Sequence, residues 1–357
     1  GIGAGTNRMN VYTVRKATHG LANYLLKHAD GKPQSVAIAH DSRNKGVLFS
    51  QQSAAVLAAN GIKAYLYPQL MPTPSLSFAV RHLGATAGIV ITASHNPPKY
   101  NGYKVYWSDG GQIVPPYDRL IIEQIGRVQS YAQIRRMPRA QAEESGLLTV
   151  IGEEVDASYL AAVKANAIHA DVCREMGKKL KIVYTPLHGT GNLPVRRVLA
   201  ELGFEQVWVV PEQELPDGDF STVQSPNPED KRAFALALAL AKEKDADLVL
   251  ATDPDAARLG AYAKDGATGE YMPFTGNMSG LLIAEYLLSQ REALGLLPAD
   301  RANGALVTTI VSSNMAHAVA NAYGLSVIET LTGFKYIGEQ IRRFEEALAA
   351  NGGVPDK

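Results

Sequence analysis

The 357-residue chain holds a single cysteine, Cys173, so no intramolecular disulfide can staple its fold. A lone thiol fits a reducing compartment, and a cytoplasmic location is the expectation. Long hydrophobic runs are missing too. The longest clean one, Ala233 to Ala241 between Arg232 and Lys242, is far too short to span a bilayer, so no membrane association is expected. The opening GIGAGTNRMN lacks both the apolar stretch of a signal peptide and an initiator Met, so residues upstream of Gly1 are expected to be missing. No charge of one sign prevails. The 35 Lys and Arg cancel the 35 Asp and Glu, which argues against a global attraction to nucleic acid or acidic lipid. The eight histidines are scattered without zinc-ligand spacing. GIGAG is a poor dinucleotide fingerprint, because no strand precedes it and its spacing is not G-x-G-x-x-G.

What the chain does have is alternation. Strands are expected at Ser35–His40, Ile62–Tyr67 and Ala87–Thr92, with helices over 49–60 and 74–83 between them. Residues from about 108 to 178 read as less regular. They carry a helix over 117–128, then a charged, alanine-rich stretch with no evident strand. The alternation restarts with strands at Leu180–Thr185, Gln206–Val210 and Asp247–Thr252. A third set runs from Gly276, with strands at Ala305–Ile310 and Leu325–Thr330 and a closing helix over 334–350. This pattern predicts three similar α/β domains with mixed, mostly parallel sheets. Their expected bounds are 1–170, 171–272 and 273–357.

Three polar loops follow expected strands, at the sheet edge where open α/β folds usually bind ligands. The first reads TASHNPPKYNGYK, Thr92 to Lys104. Ser94 could act as a nucleophile with His95 as base, but adjacent side chains usually diverge and no third group is evident to orient the histidine. It could instead carry a phosphoryl group beside amides, Asn96 and the cations Lys99 and Lys104, or it could simply be a turn serine. The second loop, Thr185-Pro-Leu-His-Gly-Thr-Gly191, opens a helix. It suits an anion or is plain turn geometry, with His188 packed in the loop. The third, Thr252-Asp-Pro-Asp-Ala-Ala-Arg-Leu-Gly260, spaces Asp253 and Asp255 at i, i+2 around Pro254. Two such carboxylates repel unless a cation lies between them. Oxygen donors suit Mg²⁺, and Arg258 suits phosphate; a solvated acidic turn is the alternative. Together the loops point to phosphoryl transfer.

These residues resemble the α-D-phosphohexomutase superfamily, in its phosphoglucomutase/phosphomannomutase branch with phosphopentomutase-like members. The resemblance rests on T-A-S-H-N-P-P…N-G-Y-K, on D-P-D-A-x-R, and on T-L-T-G-F-K-Y-I-G at Thr330–Gly338. G-T-N-R-M-N near the start and T-P-L-H-G-T-G agree with it. It implies that phosphorylated Ser94 donates to a hexose phosphate, that a glucose 1,6-bisphosphate intermediate turns over, and that glucose 1-phosphate and glucose 6-phosphate interconvert. It also implies Mg²⁺ bridging the phosphoserine to Asp253 and Asp255, Lys104 as general acid or base with His95 nearby, and Arg258 at the phosphoserine or metal loop. Thr332, Gly333 and Lys335 would contact the sugar phosphate, and Arg8 lies in a matching motif. The partner is a small sugar phosphate, of glucose, mannose or a pentose.

Two features depart from the family pattern. Its metal loop reads D-P-D-A-D-R, whereas Ala257 replaces the third aspartate here, so impaired turnover, or a protein that binds sugar phosphate without turnover, is expected. The sugar-specificity loop and the phosphate loop of a fourth domain are also missing, which predicts an incomplete third domain and no fourth.

Overall fold

A computed structural model describes residues 2–3, 5 and 8–352. The chain divides into two compact units, 1–272 and 273–357.

The first unit contains two five-stranded sheets. Its strands begin with β1 (Ile2–Gly3), β2 (Ser35–His40), β3 (Lys63–Leu66), β4 (Ala87–Ile91), β5 (Tyr100–Asn101), β6 (Tyr103–Trp107) and β7 (Leu148–Val150). One sheet has the order β6-β4-β2-β3-β7, parallel except for the antiparallel β4–β6 pair. Alternate residues of β2 feed two cores. Val36 and Ile38 pack with Leu21, Phe49 and Leu57, while Ala37 and Ala39 pack with Leu76 and Val80. Burial on both faces is why the central strands read as continuous apolar runs rather than alternating ones. Gly88 in β4 brings the helix Thr73–His82 close, since a Cβ there would lie 2.7 Å from Val80.

The second sheet uses β8 (Lys181–Thr185), β9 (Gln206–Val209), β10 (Leu248–Thr252), β11 (Leu259–Lys264) and β12 (Tyr271–Phe274), in the order β12-β11-β10-β8-β9. Strands β10, β8 and β9 are parallel, and β11 is antiparallel to β10. Val183, Val249 and Ala251 pack here against Ala237 and Ala241 of the helix Ala235–Lys244.

Several elements lie outside the sequence expectation. The helix Val11–Lys27 starts at Asn10, whose side chain takes the Tyr12 and Thr13 amides in a capping box. The stretch expected to lack strands contributes β7, which closes the sheet edge against β3. Three residues are too few for period-2 alternation to register. The same stretch forms the helix Glu153–Lys164, which packs on both Thr73–His82 and Asn192–Glu201, one from each sheet's flank. That shared helix bridges the flanks of the two sheets within residues 1–272.

The second unit pairs β13 (Ala305–Thr309) with β14 (Ser326–Thr330) in parallel, accompanied by the helices Gly276–Ala293, Met315–Ala322 and Phe334–Ala350. Among the described residues, no helix is long and apolar enough to cross a membrane.

Candidate active site

The loop after β4 is held open by close backbone approach. A Cβ on Gly102 would lie 2.3 Å from the Thr92 carbonyl, so only glycine lets β6 run this close. The Gly102 carbonyl accepts the Thr92 amide at 3.0 Å. Ser94 sits at the resulting bend with φ of 52°, a left-handed conformation that is uncommon outside glycine. Its amide donates to Thr92 Oγ1 at 2.8 Å.

That bend aims the serine at the loop after β10. Ser94 Oγ donates to Asp253 Oδ2 at 2.6 Å, and His95 Nδ1 lies 3.3 Å from the same hydroxyl. The other oxygen of Asp253 accepts the amides of Ala257 and Arg258 at 3.0 and 2.9 Å. Asp255 receives Lys104 Nζ at 3.3 Å and the Thr73 hydroxyl at 2.8 Å. Both carboxylates are fully buried. Burial, then the neighbouring Asp255 carboxylate, pushes Asp253 well above the usual carboxylate range. Burial also raises Asp255, but Lys104 and the hydrogen bonds to it outweigh that and hold it below the usual carboxylate range. For His95, burial and then the Arg258 charge lower the imidazole and favour its neutral form.

Asp255 Oδ1 is buried without a hydrogen-bond partner. An orphaned carboxylate oxygen beside a second buried carboxylate and a serine hydroxyl makes a hard oxygen donor set, which suits Mg²⁺. Among the described residues, no group of three His, Cys, Asp or Glu side chains is placed to hold a metal ion. A cavity of about 580 Å³ opens onto the serine, with Lys104, Asn96, Thr13 and Gln112 among its walls. Its volume falls within the range of small-molecule sites.

Family models described as phosphoglucomutase/phosphomannomutase, alpha/beta/alpha domains I, II and III match residues 2–132, 157–266 and 275–353. The chain belongs to this family. It is 39% identical over 346 residues to a probable phosphomannomutase of Haemophilus influenzae, covering 95% of the chain and 67% of that protein. A phosphoglucomutase of Staphylococcus saprophyticus is 39% identical over 340 residues, covering 95% and 59%. A probable phosphoribomutase of Schizosaccharomyces pombe is 37% identical over 353 residues, covering 97% and 58%. The chain thus spans about three-fifths to two-thirds of the length of these relatives. A crystal structure of a putative phosphomannomutase from Thermus thermophilus superposes with a TM-score of 0.73 at 26% identity, covering 94% of the chain and 68% of that structure.

In this chain, Ser94, His95, Lys104, Asp253 and Asp255 come together, whereas other candidates lie elsewhere. The Arg258 side chain is directed to Glu229, 3.7 Å away, and only its amide serves the acidic loop. Ala257 is exposed. Lys99 faces the Tyr100 ring. Arg8 is exposed near the start of the helix Val11–Lys27. Thr332, Gly333 and Lys335 belong to the second unit, where Gly333 (φ 126°) precedes the helix Phe334–Ala350 and Lys335 lies over the Tyr336 ring. In the second loop, the amides of Leu187, His188, Gly189 and Thr190 are taken by Thr185, Gln213, Pro186 and Pro254. His188 bonds Leu215 and Thr222. The anion alternative for that loop therefore gives way to turn geometry.

Sequence reasoning missed Thr73, which fixes Asp255, and Ser225, whose hydroxyl donates to the His95 carbonyl at 2.8 Å. It also missed Asp41 and Arg43. Those two follow β2 in the stretch His40-Asp-Ser-Arg-Asn44, a fourth polar loop at the carboxyl end of a strand. The rule that singled out the other three loops applies equally to it.

Proposed function

We propose that the chain carries the phosphoserine and metal lobes of a phosphosugar mutase that interconverts glucose 1-phosphate and glucose 6-phosphate. The observation that supports this reading is the 2.6 Å bond from Ser94 Oγ to Asp253, with Asp255 and Lys104 alongside. In the forward step, a sugar hydroxyl oxygen bonds to phosphorus as the bond from phosphorus to Ser94 Oγ breaks. Lys104 gives a proton to the departing Ser94 Oγ and takes the hydroxyl proton in its place, and glucose 1,6-bisphosphate is formed; the return step reverses this exchange. In the return step, Ser94 Oγ takes the phosphoryl from the other end of the bisphosphate, so the serine is phosphorylated again. Asp253 and Asp255, with a phosphoserine oxygen, would hold Mg²⁺, whose charge would neutralise the phosphoryl oxygens. Asp253 keeps the serine oxygen aimed, and Thr73 keeps Asp255 aimed. Arg258 contributes its amide to that loop, and His95 borders the hydroxyl. Thr332, Gly333, Lys335 and Arg8 enter the reading as contacts to the sugar phosphate. Glucose is preferred over mannose or a pentose on the balance of the relatives' names.

The test is the mass of the Ser94 peptide after incubation with glucose 1,6-bisphosphate and Mg²⁺. A single phosphate adduct that vanishes in Ser94→Ala is expected; a chain left unmodified would overturn the reading. A second reading, binding without turnover, is favoured by Ala257. Restoring the carboxylate in Ala257→Asp should raise the rate of serine phosphorylation about tenfold or more, a gain of one metal ligand. No gain would favour the binding protein.

A further inference from the structure

Arg43 is buried, and its guanidinium gathers the carbonyls of the Ser94 loop. Nη1 donates to Pro97 O at 3.0 Å and Tyr100 O at 2.9 Å, and Nη2 donates to Ser94 O and Asn96 O. Nε stands 3.4 Å from Asp41 Oδ2, and Asp41 in turn accepts the Thr92 hydroxyl at 2.5 Å and the Arg43 amide at 2.9 Å. One cation thus closes a ring of polar groups around residues 92–100. The guanidinium also lies over the Phe220 ring, 5.0 Å from its centroid. Phe220 is fully buried and sits in the loop after the short helix Pro211–Glu214, where Asn44 Nδ2 donates to Asp219 Oδ1 at 2.6 Å.

Such a network has a clear physical purpose. Carbonyls in a tight loop repel one another when they converge, and Ser94 itself occupies the left-handed region. A planar fork with five donors offsets that repulsion at four points, whereas a lysine ammonium, a single point charge, cannot reach all four. The same fork is sandwiched against a ring from the segment that follows β9, so it ties the serine loop to the part of the unit that carries Asp253. Arg43 is not among the residues that line the cavity at Ser94.

We propose that Arg43 is a positioning residue for phosphoryl transfer, which sets the Ser94 hydroxyl against Asp253 without touching the sugar. This rests on the mutase reading. Arg43→Lys and Arg43→Met should both lower the maximal rate of Ser94 phosphorylation by glucose 1,6-bisphosphate about 100-fold, because a misplacement on the order of 1 Å costs that much. The half-saturating bisphosphate concentration should stay within about threefold, since the groups that would bind sugar are untouched. A smaller folded fraction would give the same split, so rates are taken per folded chain, counted by circular dichroism, and a loss that vanishes on this normalisation overturns the proposal. The second measurement is hydrogen exchange of the amides of 94–100 on the unliganded chain, which needs no activity. Exchange should quicken in Arg43→Met by about tenfold or more, and not in Leu160→Ala, a core truncation remote from the loop. If the wild type takes no phosphoryl from the bisphosphate, the mutase reading falls and the exchange arm alone decides the role of Arg43. A loop that exchanges at the wild-type rate in Arg43→Met, or a maximal rate within about threefold in Arg43→Lys, overturns the proposal.

Discussion

Residues 1–272 and 273–357 are built from the same alternation of strand and helix, yet their interiors differ sharply. The first unit sets ten of its strands in two sheets and buries the central strands of one on both faces, with Ile38, Phe49, Leu57 and Ile89 fully enclosed. Among the described residues, the second pairs two strands, and its buried apolar residues are Ala316, Ala320 and Leu325. In the helix Phe334–Ala350, Phe334, Ile341, Phe344 and Leu348 stay exposed although three of them recur at i, i+3 and i+7. Helical periodicity says which face is apolar, but the number of strands beside it decides how much of that face is covered. The buried carboxylates illustrate the consequence. Asp253 and Asp255 can be perturbed because the first unit has an interior deep enough to hold them.

The largest expected effect breaks the comparison by truncation. Phe49→Ala should destabilise the first unit by about 3 to 5 kcal/mol, since it removes a fully buried ring and leaves a cavity. Phe344→Ala removes a half-exposed ring and should cost about 0.5 kcal/mol or less. Both tryptophans, Trp107 and Trp208, lie in the first unit. Their fluorescence in a urea titration should therefore move with Phe49→Ala and stay in place with Phe344→Ala. The second unit holds no tryptophan, so its unfolding is followed by circular dichroism, where a cost above about 1 kcal/mol for Phe344→Ala would mean that this ring is more deeply packed than its exposure shows.

Glycine sharpens the same contrast at a smaller scale. In the helix Val11–Lys27, a Cβ on Gly20 would lie 2.7 Å from the backbone of Ile125 in the helix Tyr117–Gly126, so Gly20→Ala forces two helices apart. A cost of about 1 to 3 kcal/mol follows. Gly280, inside the helix Gly276–Ala293 of the second unit, meets nothing within 4 Å. There Gly280→Ala should stabilise by about 1 kcal/mol through helix propensity alone. Thermal unfolding followed by circular dichroism separates the two signs.

How much of this was legible in the sequence follows from the same physics. Strands that are buried on both faces, such as Ala87–Ile91, announce themselves as apolar runs. The helix Phe334–Ala350 is bounded by Gly333 before it and Gly352 after it. The loops that carry Ser94, Asp253 and Asp255 were found because strand ends in α/β sheets expose polar residues together. What stayed hidden depended on partners far away in the chain. Thr73 is an ordinary helix-start threonine until Asp255, 182 residues on, comes to rest on it. Arg43 looks like one more surface cation until four carbonyls close around it. The strand Leu148–Val150 is too short for any periodicity, and only the free edge of β3 makes it a strand. The Arg258 motif is legible, but the contact of its side chain with Glu229 is not.

The smallest effect concerns protons. His40, at the end of β2, is buried with Nδ1 against the Asp41 carbonyl at 2.9 Å, and burial lowers its imidazole below the ordinary value of about 6.5. The unfolded chain therefore binds a proton there before the folded one does, so the stability of the first unit should fall as pH drops below about 6.5. The slope for one such group is at most about 1.4 kcal/mol per pH unit. Asp41 works in the opposite sense. Burial pushes its carboxyl up to about 6, so the folded state holds that proton longer and its contribution is lost as pH rises through that value. His40→Asn removes only the first of these, and keeps a group able to hydrogen-bond. Tryptophan-monitored stability between pH 7.5 and 5 should lose less in His40→Asn than in the wild type. Equal losses would show that the proton taken up on acid unfolding belongs to another group, and that the depth of the first unit's interior has no bearing on its acid sensitivity at this position.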